Sequence, residues 1–150
     1  MGYYVSTVSS KFTFKPGTDL TAVLQDVQKN MFSDHALETH ARGGAWPWYG
    51  KDIADVAWYS WTNSRECRAA TDIYQIIEQF FETVDIADDR MSFEVYVDNK
   101  IGQEDVLLEF LAPYLEDGSH LRYRGEDGDL FGWRVQDGAL LEERATVTWD

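Results

Sequence analysis

His35 and His40, with Asp34 and Glu38 beside them and Cys67 further along, are the side chains of this 150-residue chain best suited by type to hold a metal ion. Their spacing works against it. Five residues advance roughly 140° around a helix, so the two imidazoles diverge, and no second cysteine completes a tetrahedral set. Cys67 is flanked by Arg65 and Arg68, whose charges favour a nucleophilic thiolate, yet no motif supplies a base beside it. Glu126, Asp127 and Asp129 lie in a glycine-bounded stretch that looks like a calcium loop but lacks its ligand spacing and terminal glutamate. No glycine-rich phosphate loop, G-x-S-x-G elbow or HExxH occurs. The residue types predict a protein that is not an enzyme and carries neither metal nor cofactor. A dispersed catalytic site built on His35, His40, Asp34 and Cys67 is the competing reading.

Charge is the stronger signal. The chain has 27 acidic against 13 basic residues, a net charge of −14, and the excess is concentrated. Residues 61–120 hold fourteen acids and four bases, whereas residues 1–60 hold six and five. Such a field repels nucleic acid and anionic membrane and attracts basic proteins. The acids fall in two groups: Asp72, Glu78, Glu82, Asp85, Asp88 and Asp89 on one helix and its exit, then Glu104, Asp105, Glu109, Glu116 and Asp117 on and after the next. A run of this kind is ordinarily a solvated helix face. It also has the makings of a surface that imitates spaced phosphates and fits a Lys/Arg groove. Four of the six tryptophans fall within residues 46–61. Most such rings fill a core, but Trp46, Trp48 and Tyr49 sit in a Gly/Pro-rich stretch between Arg42 and Lys51, where they can anchor an interface.

The elements that must position these groups follow from periodicity. Residues 3–14 alternate as a strand bent at Ser9-Ser10, and Leu20, Val23, Leu24, Val27 and Met31 mark a first helix after Pro16-Gly17. Residues 33–55 read as a long irregular segment, and 56–61 as a short aromatic strand. Ile73, Ile76, Ile77, Phe80 and Val84 mark a second helix from about Thr71, 91–97 a half-buried strand, and Val106 to Leu111 a third helix that Pro113 ends. The remainder reads as a three-strand meander of 121–124, 130–135 and 139–149 with a two-residue hairpin turn at Asp137-Gly138. Trp133, Val135, Leu141 and Val147 are candidates for its buried face, set against Ile73, Ile76, Ile77 and Phe80. This predicts a single α+β domain over residues 1–150: an antiparallel or mixed sheet of five to six strands with two or three helices on one face.

The stretches Leu121-Arg-Tyr-Arg-Gly-Glu-Asp-Gly, Phe131-Gly-Trp-Arg-Val-Gln-Asp-Gly and Thr146-Val-Thr-Trp149 resemble the ending of small acidic proteins of bacteria and their phages. In size and charge the chain is also similar to phage anti-defence inhibitors, including anti-CRISPR proteins, and to immunity proteins of nuclease toxins. That resemblance implies a cytoplasmic inhibitor, in the host cytoplasm if phage-encoded. The acidic field predicts as its partner a basic nucleic-acid-binding protein or nuclease complex, with no direct contact to nucleic acid or membrane. A homodimer and a purely structural or accessory role remain alternatives. No stretch approaches the ~20 apolar residues of a membrane span, and the lone cysteine agrees with a reducing compartment.

Overall fold

The structure is a computed structural model that describes residues 3–44 and 50–145. In chain order its elements are β1 (Tyr4–Thr13), α1 (Leu20–Phe32), α2 (Asp34–His40), β2 (Gly43–Gly44), α3 (Ile53–Val56), β3 (Ala57–Trp58), α4 (Ser64–Ala69), α5 (Ile73–Phe80), β4 (Thr83–Ile86), β5 (Ser92–Tyr96), β6 (Asp98–Lys100), α6 (Glu104–Leu111), a 3-10 turn (Ala112–Tyr114), β7 (His120–Gly125), β8 (Leu130–Gln136) and β9 (Ala139–Ala145). The fold is α+β. By contacts the chain divides into two units, one drawn from residues 1–17, 81–101 and 112–150, the other from 18–80 and 102–111.

The first unit is a seven-stranded antiparallel sheet in the order β4-β5-β1-β7-β8-β9, with β6 also pairing β1. Alternation along β1 sends Val5, Phe12 and Phe14 to one face, where Phe93, Val95, Leu121 and Tyr123 join them, all buried. A bulge interrupts β1 opposite β7: Thr7 pairs Tyr123 and Ser9 pairs Arg122, so Val8 is an extra residue on the open face. Along the other side of β1, hydroxyls stand in for ladder bonds at Ser10 and supplement the Thr7 N–H bond to the Val97 carbonyl at 2.9 Å. Ser10 Oγ accepts the Val95 N–H at 2.7 Å and donates to the Val95 carbonyl at 2.8 Å. Thr7 Oγ1 treats Val97 in the same way, at 2.8 and 3.3 Å. The meander closes through Asp137 and Gly138, whose φ values of 52° and 75° are the pair of positive angles a type I′ turn requires. In β8, Gly132 is obligatory, because a Cβ there would lie 2.0 Å from the Leu121 carbonyl oxygen.

The second unit is helical. Asp19 caps α1 by accepting the Thr21 N–H at 3.0 Å, and Val23, Leu24, Val27 and Met31 recur at helical spacing as its buried face. Helices α2, α4, α5 and α6 pack against it. Tyr59 is fully buried and donates its hydroxyl to the Met31 carbonyl at 2.7 Å. Helix α5 buries Ile73, Tyr74, Ile76, Ile77 and Phe80.

Several expectations change. Among the described residues the sheet has seven strands rather than five or six, a separate two-stranded pair joins β2 to β3, and six α-helices replace two or three. The segment 33–55 holds α2, β2 and α3, each too short to show a period, and α4 forms in the polar stretch where Asn63 caps the Glu66 N–H. Helix α5 stops at Phe80, and Val84 belongs to β4, where β-branched residues at 83, 84 and 86 favour the extended chain. The aromatic stretch 56–61 contributes only Ala57–Trp58 as strand. In the meander Val135 is buried, Trp133 is half-buried and Leu141 is 43 % exposed, because Leu141 stands opposite Arg134 on the open face. Val147 lies outside the described residues, as do Thr146 and Trp149.

Candidate functional site

The sequence-predicted acids fall into both units. In the helical unit, Asp72 precedes α5 and accepts the Tyr74 N–H at 2.9 Å, acting as a helix cap. Glu78 on α5 and Glu109 on α6 are exposed, and Asp105 is half-buried. Glu104 contradicts its assignment to the surface: it is fully buried, and both carboxylate oxygens accept the Gly102 N–H at 3.0 Å. Burial pushes its carboxyl up to about 7, against the pull of the backbone N–H groups of Gly102 and its own residue. It therefore takes no part in a partner surface.

In the sheet unit, Glu82, Asp85, Asp88 and Asp89 follow one another along the β4 edge and into the β4–β5 turn, all exposed. The turn itself is fixed by short-range bonds. Arg90 N–H donates to the Ala87 carbonyl at 2.8 Å, and Asp89 accepts the Met91 N–H at 3.0 Å. The register adds two acids that the sequence reading did not single out. Glu94 on β5 stands opposite Asp85, and Asp98 opens β6, where its N–H donates to Glu82 at 3.3 Å. Side chains opposite one another on neighbouring strands lie about 5 Å apart at Cβ, and like charges so placed are destabilising. The Tyr96 hydroxyl registers the field. It donates to Glu94 at 3.1 Å, and that bond, with burial and the charges of Glu94 and Asp85, holds its pKa above the ordinary tyrosine value. Lys11 shares a shallow hollow with Asp85 and Glu94. None of the side-chain ion pairs among the described residues engages Glu82, Asp85, Asp88 or Asp89. Alternation in β5 sets Glu94 on the opposite face from Phe93 and Val95, a signal that was present in the sequence.

Glu116 and Asp117 lie elsewhere in the sheet unit, exposed in the turn before β7. Asp117 accepts the Asp137 N–H at 2.8 Å and so supports the hairpin turn. Trp46, Trp48 and Tyr49 lie outside the described residues.

The catalytic ingredients do not assemble. Cys67 is buried, and burial followed by the Glu66 charge pushes its thiol up to about 12, the reverse of activation. The flanking arginines serve other partners: Arg65 forks onto Asp55 and Asp52, and Arg68 reaches Asp34 at 2.6 Å. His35 is exposed on α2, while His40 meets Phe110 edge-on. No cluster of three or more His, Cys, Asp or Glu side chains suited to a metal occurs among the described residues. Asp127 is occupied as a turn residue, accepting the Asp129 N–H and the Tyr3 hydroxyl. No helix among the described residues is long and apolar enough to cross a membrane.

No family model, curated protein or solved structure matches the chain. The site is thus defined by its own geometry, as an acidic sheet edge of Glu82, Asp85, Asp88 and Asp89 extended by Glu94 and Asp98.

Proposed function

We propose that this is a non-enzymatic acidic binding protein that covers a basic surface on a nucleic-acid-handling protein, acting as a phage anti-defence inhibitor of the anti-CRISPR kind in the host cytoplasm. The observation that carries the reading is Asp85 held opposite Glu94. Like charges in facing positions cost folding energy, which the Tyr96 hydroxyl donated to Glu94 offsets only on one side of the pair. A basic partner offsets that cost by bringing cations to both carboxylates, and the field speeds its association. Capture from host lysate tests this with two baits, the wild-type chain and a variant carrying Glu82→Lys, Asp85→Lys, Asp88→Lys and Asp89→Lys. The expected result is a nuclease, CRISPR effector or other nucleic-acid-binding protein on the first bait and its loss from the second. Recovery of no such protein, or equal recovery on both, moves weight to the structural or accessory role.

A further inference from the structure

The two faces of the sheet differ. Register and alternation place Tyr4, Ser6, Val8, Ser9 and Lys11 of β1 on the face opposite the core, with the side chains beside them from the flanking strands. Apart from Gly132, every residue on this face is exposed or half-buried. It also collects four of the five exposed large hydrophobic side chains among the described residues: Tyr4 at 49 %, Val8 at 54 %, Tyr96 at 39 % and Leu141 at 43 %. Apolar groups gathered on one open face signal an interface, whereas scattered ones do not.

Charge on the face is divided by β1. On the β4–β5–β6 side stand Asp85, Glu94 and Asp98 with one cation, Lys100. On the β7–β8–β9 side stand Arg122, Arg124 and Arg134 with one anion, Glu143, which takes Arg122 at 3.0 Å and Arg134 at 3.4 Å. Arg124 has no ion-pair partner among the described residues. The central strand carries Lys11 and, near its middle, the bulged Val8.

We infer that the open face of the sheet is the interface of a symmetric homodimer, in which the arginine half of each copy lies on the acidic half of the other. A two-fold axis near Val8 brings this about, since rotation about the middle strand exchanges the β5 and β7 sides. The same operation sets Val8 against its copy, and packs two twisted sheets face to face about 10 Å apart. The five strand positions from β4 to β8 that this axis superposes, at about 4.8 Å spacing and about 20 Å length, give on the order of 500 Å² per copy before side chains are counted, against the ~800 Å² of a standard interface. A basic protein would match only one half of this face and an acidic one only the other. A second copy matches both. The dimer and the partner proposed above compete for Asp85 and Glu94, and only Glu82, Asp88 and Asp89, at the strand edge and turn, lie outside the paired face, so mass in solution and partner capture report on the two separately.

The test is the mass in solution, by sedimentation or light scattering, of the wild-type chain and two variants, Arg122→Glu/Arg124→Glu and Glu94→Lys/Asp98→Lys. The wild type is expected at twice 17.3 kDa. Each variant alone is expected as a monomer, its dissociation constant raised at least about 100-fold by like charges in contact. An equal mixture of the two is expected to regain the dimer, because the reversed patches now complement each other and the untouched ones still do. A monomeric wild type across the micromolar to submillimolar range overturns the inference, as does dimer retained in either folded variant.

Discussion

Glu104 shows what a single side chain contributes against the run of its chemistry. It occupies the first position of the stripe 104, 107, 108, 111, whose other members are buried leucines, so the i, i+3, i+4, i+7 rule places it inside. Its charge alone had placed it outside. The folded carboxyl titrates near 7 and an unfolded one near 4.5, so between those values the native state holds a proton that the unfolded chain releases. Stability from this group is complete below about pH 4.5 and is lost as pH rises through 7, amounting to about 3 kcal/mol. Glu104→Gln keeps an acceptor for Gly102 and removes the titration. Between pH 5 and pH 8 the denaturant midpoint of the wild type should therefore fall relative to that of the variant, and a relative rise would overturn the assignment. Cys67 gives a simpler expectation. Its buried, protonated thiol should react with an aromatic disulfide reagent at pH 8 only after denaturant is added, and fast labelling of the native chain would show that α4 opens readily.

At the scale of elements, whatever had a sustained period was legible: β1, α1, α5, β5, α6 and the meander with its Asp137-Gly138 turn. The elements that were missed are β2, α3 and β6, of two to four residues, α2 and α4, of seven and six, and β4, whose Val84 falls by chance on the α5 spacing. Segments so short carry no period and are set by what they pair with. The hydroxyl contacts of β1 were equally invisible, since Ser10 in a strand reads only as a polar interruption. Their removal is a direct test. Ser10→Ala strands the buried N–H and carbonyl of Val95, each costing about 1–3 kcal/mol when unpaired, so a loss of at least about 2 kcal/mol is expected in chemical denaturation. Gly132→Ala should cost as much or more, because the added methyl meets backbone rather than a side chain that can turn aside.

For the molecule as a whole, the sequence disclosed how much charge there is and roughly where along the chain, but not which carboxylates share a surface. Asp85 and Glu94 become neighbours only through the β4–β5 register, while Asp72 and Asp89 spend part of their hydrogen-bonding capacity on local backbone and Asp117 on the distant Asp137 N–H. If the acidic edge recruits the partner, raising salt from 50 to 500 mM should lower the association rate at least about 10-fold and change dissociation far less. Surface plasmon resonance against the captured protein measures both. A salt-independent rate would shift the contact to the aromatic residues Trp46, Trp48 and Tyr49.

The place of β1 at the centre of the sheet also bears on how the chain is made. Residues 4–13 leave the ribosome before every strand they pair with, since their partners on one side come from residues 92–100 and on the other from 120–125. Until residue 92 emerges the nascent strand has two open edges and nothing of its own to pair with, while the helices of 18–80 can begin packing ahead of α6. Such separation in sequence slows folding and lengthens exposure to misassembly. Ribosome-bound chains ending near residue 110 should therefore depend on chaperones for solubility far more than the finished protein does.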